Sequence, residues 1–459
     1  MGRICNFELI CVRIFLMNKR TIYICVEIKS REYVSNILLA TACALRGYRV
    51  YLGTHAAIYA LIRKKLTSDG IFLDKSTQPE TRMKWNRART EYYCILDPEL
   101  SPILPPNVLV EGFNSRVYEG SESLYDRFFV VGESAAKAAR ARSKDNSSKI
   151  RLTGWPRIDV WKEMSAEIYC NEIHEIQGKH GEYILFVSSF GNVRDPEVTK
   201  NLRNADPINL TPLNDFKFAK LQHANFKKMV DLLRLWDKDP SLPKVIIKVH
   251  PSEPVSEWKR ALKGLRKTVV VSKGEISPWV IASSGVIHHG STGALEAYFA
   301  KKPVVIVKEM TIPYLLPIAS GISEYEIAPS TSFEGFNFFK LRNIDFNPNV
   351  LDVAITTPKA GAVAQIIDVF DELELKVSKL HKRCWLILSQ IHPKSLKRAV
   401  GLIRDEIYWH FGKTNINSQL HFIPGGLDKK RINQIKKINP DFAKVKIRRM
   451  TINLWEFDL

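Results

Sequence analysis

The chain has 459 residues, 45% of them hydrophobic and 25% charged, with a formal net charge of +20. Those proportions suit a globular protein of two or three domains and exclude a disordered, collagen-like or disulfide-stapled chain. The excess of cations selects anionic partners such as nucleotides, anionic glycans or an anionic membrane, while the lack of a helix-turn-helix, RNP or zinc-finger pattern argues against nucleic acid.

The opening ICNFELICVRIFLM is interrupted by Glu8 and Arg13 and has no small-residue cleavage site after it, so it is a poor secretory leader. Met17 stands directly before the first good strand, and residues 1–20 are expected to be disordered or to precede the true start. The seven cysteines are scattered with no CxxC spacing, which fits reduced thiols better than disulfides or zinc and points to a cytoplasmic protein. No apolar run reaches the roughly 18–20 residues that span a bilayer.

From Thr21 onward, strand and helix patterns alternate. Thr21–Glu27 is an apolar β run, Tyr33–Arg46 has helical spacing and stops at Gly47, and Tyr48–Leu52 is a second strand. A helix at Ala56–Leu66 follows, then short strands at Ile71–Leu73, Tyr92–Leu96, Val108–Val110 and Phe128–Val131, and a helix at Ser134–Arg142. Strands alternating with helices of this length imply βαβ units and a parallel sheet. Thr153-Gly154-Trp155-Pro156-Arg157 and the polar stretch after it break the pattern, so 21–155 is expected to form one Rossmann-like domain.

A second series begins at Tyr183–Val187 and includes a helix at Phe218–Trp236, a strand at 244–249, a helix at 255–264, a strand at 268–271 and a closing strand at Val304–Val307. Residues 156–370 are therefore expected to form a second Rossmann-like domain. The fold class is α/β, with two facing Rossmann-like domains whose cleft would bind a ligand. Residues 371–459 are expected to be a helical crossover and basic tail. Between Lys376 and Leu459 there are 18 Lys/Arg against 6 Asp/Glu, and aromatics are interleaved with cations, as at an interfacial surface in peripheral contact with an anionic membrane.

The chemistry concentrates between Lys244 and Val307. Two apolar strands end in histidine, one at His250 and one at His288-His289, and polar side chains at the carboxyl ends of parallel strands face the ligand crevice. Gly290-Ser291-Thr292-Gly293 then opens a helix, offering backbone N–H groups and hydroxyls to phosphate. Glu296 lies four residues after Thr292 and shares its side of the helix. Together they suit a diphosphate and its ribose. Strand alternation favours His289 over His288 for the crevice. The adjacent pair is no metal site, since neighbouring strand residues point apart and no carboxylate lies at ligand spacing.

VEIKSRE (26–32), RGYRVYLG (46–53), TGWPRID (153–159), KVHPSE (248–253) and HHGSTGALEA (288–297) give the chain a resemblance to bacterial surface-carbohydrate biosynthesis proteins over about residues 20–370. More distantly it resembles the CDP-glycerol glycerophosphotransferases and the HP-motif CMP-sugar transferases, including sialyl- and Kdo-transferases, all of GT-B fold. The resemblance implies a transferase that moves a sugar or polyol from a nucleotide-activated donor, a cytidine nucleotide favoured, to a glycan or lipid-linked acceptor. It implies no cofactor and no metal. His250 is similar to the HP-motif histidine that meets the donor phosphate, with Pro251 fixing its turn and Lys248 as a supporting charge. Glu296 is similar to the glutamate that binds ribose.

The N-terminal domain would then hold the acceptor and the base. Glu27, Glu111 and Asp97 all follow strands and compete for the base, in that order, while Lys29 and Arg31 are placed to clamp an acceptor carboxylate or phosphate. Gly154-Trp155-Pro156-Arg157 resembles the family's Gly-Asn-Pro-Arg turn, with Trp155 in place of a small polar residue. The competing readings are a CDP-polyol phosphotransferase, a non-catalytic scaffold of a polysaccharide export complex, and a nucleotide-sugar 2-epimerase.

Overall fold

Every residue of β1 (Thr21–Val26) is buried, as expected for a central strand of a parallel sheet covered on both faces. In the computed structural model the described residues are 20–63, 69–97, 117, 120–191, 193–197, 216–250, 253–307, 322–327, 355–374, 423 and 426–459. They form two compact units, one from residues up to Val160 together with those from Ile355 onward, the other from Trp161 to Ile327.

In the first unit, β1 leads into α1 (Lys29–Leu45), whose end is marked by Gly47 at φ +95°, a conformation glycine adopts without a Cβ penalty. β2 (Arg49–Thr54), α2 (His55–Arg63), β3 (Ile71–Asp74), α3 (Glu80–Arg87) and β4 (Tyr92–Leu96) follow, then β5 (Arg127–Val130), α4 (Glu133–Ser143), β6 (Ile150–Leu152) and the single turn α5 (Pro156–Asp159). The strand expected at Val108–Val110 lies outside the described residues.

The second unit opens with α6 (Ser165–Ile168) and α7 (Cys170–His180), where a polar stretch alone was expected. β7 (Tyr183–Val187), α8 (Phe216–Lys238), β8 (Lys244–Lys248), α9 (Val255–Ala261), β9 (Thr268–Val271), α10 (Ser277–Ala282), β10 (Gly285–His288), α11 (Gly293–Phe299), β11 (Val304–Val307) and β12 (Tyr325–Ile327) complete it. Its six strands are parallel in the order β9-β8-β7-β10-β11-β12. Renumbered from β7, this is the 3-2-1-4-5-6 order of dinucleotide-binding sheets, with the direction of winding reversing between β7 and β10. Its core packs Phe186, Phe190, Phe226, Trp236 and Trp258 beneath the strands, with Phe226 edge-on to Trp258 at 4.8 Å.

The chain then returns to the first unit with α12 (Ala362–Asp371), α13 (Lys429–Ile438), α14 (Pro440–Lys444), β13 (Lys446–Thr451) and β14 (Leu454–Asp458). Asp159 carries α12, accepting from Ala362 N at 3.0 Å and Val363 N at 2.9 Å. The C-terminal residues were set apart in the sequence as a basic, helical extension. Instead, β14 pairs antiparallel with β2, and β13 with β14, extending the sheet to β13-β14-β2-β1-β3-β4-β5-β6.

Leu454, Trp455 and Phe457 are fully buried there. Arg49 meets Glu456 at 3.7 Å and Asp458 at 3.4 Å across the new pairing. The outer strand β13 shows solvent Lys446, Arg448 and Arg449, cations that guard a sheet edge against further pairing. Half of the 18 cations counted from Lys376 onward, those from Lys429 to Arg449, lie on α13, α14 and β13. Among the described residues, no helix is long and apolar enough to cross a membrane.

Candidate functional site

In the second unit the two histidine-terminated strands flank β7, β8 on one side and β10 on the other. His250 follows β8 and is partly exposed, while Pro251 lies outside the described residues. Gly290, at φ +124°, makes the turn after β10, and Ser291 and Thr292 are also partly exposed. Ser291 Oγ accepts from Gly293 N at 3.2 Å, whereas Thr292, at the helix N-cap with helical φ, makes no capping bond with its hydroxyl. A Cβ on Gly293 would stand 3.0 Å from both Val187 and Ile276. Any larger residue would have to push those two side chains aside by a few tenths of an ångström, so glycine lets α11 lie close on β7, the role of the third glycine in a dinucleotide fingerprint.

Two expected donor-site residues have other work. Lys248 is buried, and its ammonium donates to the carbonyls of Ser272 (3.1 Å), Lys273 (2.6 Å) and Gly274 (2.9 Å). Burial pulls its pKa down to about 7, but three acceptors call for the three N–H groups that only the ammonium supplies. It therefore clamps the loop after β9 and has no hydrogen left for a phosphate.

His289 is 6% exposed. Its Nε2 accepts from Ser189 N at 3.1 Å and its ring stacks on Phe190 at 3.8 Å, so it ties down the loop after β7. His288 is 0% exposed, accepts at Nδ1 from Gly290 N (3.1 Å) and so donates from Nε2 to Ser323 Oγ (3.0 Å). Burial depresses both imidazoles to about pKa 3. Both are neutral at physiological pH and bring no positive charge, and alternation did not separate them into one facing a crevice and one turned away. Glu296 is buried on α11.

The KVHPSE motif also contains a residue not singled out in the sequence. Glu253 is buried, with Oε2 accepting from Ser188 Oγ and from Trp258 Nε1 at 2.9 Å, and Oε1 from Gly191 N at 3.2 Å. Burial raises its pKa against these bonds. One carboxylate thereby fastens the loop after β7 to the start of α9. A glutamate two residues after the HP pair is the sequence signal that could have found it.

The first unit has its own pocket, of about 30 Å3, where β1 sits between β2 and β3 and the winding reverses. Cys25, Asp74, Lys75 and Glu32 line it, with Trp155 and Arg157 from the turn before and within α5. Arg157 lies over the Trp155 ring at 4.7 Å, so tryptophan in the variant turn is a platform for the guanidinium. Gly154, at φ +79°, would drive a Cβ to 2.6 Å from the Thr356 carbonyl, which excludes any other residue.

Of the expected acceptor residues, Glu27 is half-exposed and ion-paired with Lys75 at 2.5 Å. Lys29 is not in a loop but opens α1, and its ammonium pairs with Asp428 at 2.7 Å. Asp428 is the N-cap of α13. Burial works against its charge, yet Lys29 and two backbone N–H groups hold its carboxyl below the ordinary range. Lys29 is thus a bolt between α1 and α13 rather than an acceptor clamp. Arg31 lies in the first turn of α1, Asp97 is buried after β4 and does not line the pocket, and Glu111 lies outside the described residues.

Glu32 does line the pocket. Its Oε1 accepts from Glu27 N (2.5 Å) and Ile28 N (2.6 Å), closing the turn into α1, and burial raises its pKa against Lys75. Although no metal ligand was assigned from spacing, the fold brings Cys25, His55 and Asp74 together at this pocket.

No protein-family model matches the sequence, and no curated protein matches it. Among solved structures the chain is similar to the UDP-GlcNAc 2-epimerase of Neisseria meningitidis, with 13% identity and a TM-score of 0.47 over 77% of this chain and 100% of that one. The Methanocaldococcus jannaschii UDP-GlcNAc 2-epimerase gives 11% identity and 0.45 over 77% and 99%. The wall teichoic acid polymerase TagF gives 13% and 0.46 over 77% and 89%.

Proposed function

We propose that the protein is a transferase of surface-polysaccharide biosynthesis that takes a nucleotide-activated sugar as donor and binds its phosphate at the reversal point of the second sheet. The observation carrying this reading is the set of partly exposed groups at the carboxyl ends of the strands flanking β7. His250, Gly290, Ser291 and Thr292 stand there, above a layer in which Lys248, His288, His289 and Glu253 are all engaged internally. The lower layer fixes the loops. Above it, Ser291 and Thr292 bring hydroxyl groups and His250 an imidazole to the same strand ends, the functions that meet an anion there.

In the reaction so assigned, an acceptor hydroxyl oxygen attacks the anomeric carbon, the bond from that carbon to the donor phosphate oxygen breaks, and the nucleotide leaves with the electron pair. His250, as imidazolium, meets the growing charge on the leaving phosphate. The acceptor proton passes to a carboxylate base or to water.

Calorimetric titration of the full chain with CMP, CDP, UDP and GDP tests the donor assignment. Micromolar binding of a cytidine nucleotide, lost in His250→Ala while the unfolding temperature holds, supports it. Binding that survives His250→Ala would overturn the role of that residue, and binding of none of the four would overturn the reading and favour a scaffold. With a cytidine nucleotide in hand, product analysis separates a CMP-sugar donor from a CDP-polyol, where the bond broken lies within the diphosphate.

A further inference from the structure

We propose that Cys25, His55 and Asp74 form a binding site for one divalent transition-metal ion, zinc by donor type, with its open coordination position facing the pocket of the first unit. One ligand atom from each residue lies within 4.8 Å of the other two. Each comes from a different element around the winding reversal: Cys25 from the end of β1, His55 from the start of α2 and Asp74 from the end of β3. The register of the parallel sheet makes these ends neighbours, since Cys25 pairs with Gly53 and Ile24 with Leu73.

The donors are a thiolate, an imidazole and a carboxylate, the set that a borderline-soft d10 ion prefers. Tetrahedral ligand atoms at ordinary zinc bond lengths stand about 3.3–3.6 Å apart. His55 Nε2 and Asp74 Oδ1 are hydrogen-bonded at 2.8 Å, so an ion entering between them needs them to part by well under an ångström. Asp74 is held from outside the cluster. Tyr93 donates to its Oδ2 at 2.9 Å and Lys75 N to its Oδ1 at 2.9 Å, as partners that orient a ligating carboxylate do. Cys25 is held through its backbone, whose carbonyl accepts from Asn36 Nδ2 at 3.0 Å.

Charge also balances. Ionised Cys25 and Asp74 neutralise a divalent ion, while the neighbouring cation Lys75 is already paired with Glu27. Cys25 and Asp74 both line the pocket, whose volume of about 30 Å3 holds a water or a substrate hydroxyl. Three protein ligands plus one exchangeable oxygen is the arrangement of catalytic rather than structural zinc, and it lowers the pKa of the bound oxygen. The inference rests on the first unit alone and stands whether or not the donor reading does.

Cobalt(II) provides the probe. The full chain, reduced and freed of metal, is titrated with Co2+ and its absorption recorded, then Zn2+ is added and bound metal counted after dialysis. Expected are one ion per chain, a thiolate-to-cobalt charge-transfer band with four-coordinate ligand-field bands, and their loss on adding zinc. Cys25→Ser should abolish the charge-transfer band and His55→Gln should weaken binding at least tenfold, while Cys43→Ser, at a buried cysteine of α1, leaves both unchanged. A wild-type chain that takes up neither metal overturns the proposal without reference to any variant. So does a charge-transfer band that persists in Cys25→Ser or disappears in Cys43→Ser.

Discussion

Replacing Glu253 by alanine tests whether the lower layer of the second unit is what fixes its loops. The carboxylate satisfies Trp258 Nε1 at 2.9 Å, Gly191 N at 3.2 Å and the Ser188 hydroxyl. Truncation orphans the indole and backbone donors, each costing about 1–3 kcal/mol when buried without a partner. The serine hydroxyl can turn to another acceptor, and removing a buried carboxyl relieves its own desolvation, which here raises its pKa. The net loss is then about 2–5 kcal/mol.

Urea unfolding followed by tryptophan fluorescence reads this directly, since Trp258 is the bonded partner. Glu253→Gln, which keeps the shape and one acceptor, should lose less than half as much. Nucleotide affinity should fall in Glu253→Ala even where the protein is still folded, because Ser188–Gly191 would no longer be held beside the turn at Gly290. A loss below about 1 kcal/mol in Glu253→Ala would refute this account, as orphaned buried donors cannot be that cheap.

Acid stability should carry the signature of the two buried imidazoles. With folded pKa values near 3 against about 6.5 unfolded, the unfolded chain binds more protons between those limits. Stability is therefore present above pH 6.5 and falls with pH through the window by about 1.4 kcal/mol per pH unit per histidine. His288→Gln should remove one such contribution from the slope of urea midpoints between pH 6 and 4.5, and an unchanged slope would contradict the neutral assignment. Deleting residues 426–459 removes the burial of Leu454, Trp455 and Phe457, about 5–9 kcal/mol at 1.5–3 per side chain, comparable to the whole stability of a domain. The shortened chain should collect in the insoluble fraction; a soluble monomer with the original unfolding temperature would show that β13 and β14 are dispensable.

The alternation of apolar runs and helical spacing made both parallel sheets legible, because a strand covered on both faces is mostly apolar, as TIYICV and YILFV are. Strands β13 and β14 escaped for the opposite reason. KIRRMT is an edge strand whose outward residues are charged, and its neighbour LWEFD is only five residues long, so neither has the period that marks a half-buried strand. The strand-end location of His250 and of the Gly290 turn could be read from sequence, but the fate of each charge could not. Whether Lys248 meets a phosphate or three carbonyls depends on how the loop after β9 folds back, and no local pattern encodes that. The same holds for Cys25, His55 and Asp74, which are 30 and 19 positions apart and meet only because β1 lies between β2 and β3.

The route of the chain through the first sheet has a consequence for synthesis. β2 is translated 400 residues before the strand that pairs with its outer edge, since Trp455 lies opposite Leu52. At about 5–20 residues per second that is an interval of roughly 20–80 s. Throughout it the outer edge of nascent β2, which includes Val50 and Leu52, presents unpaired N–H and C=O groups while the whole second unit is made. A helper that shields strand edges at the ribosome would have this segment as its natural client. Slowing translation late in the message should then lower the yield of native protein more than slowing it early.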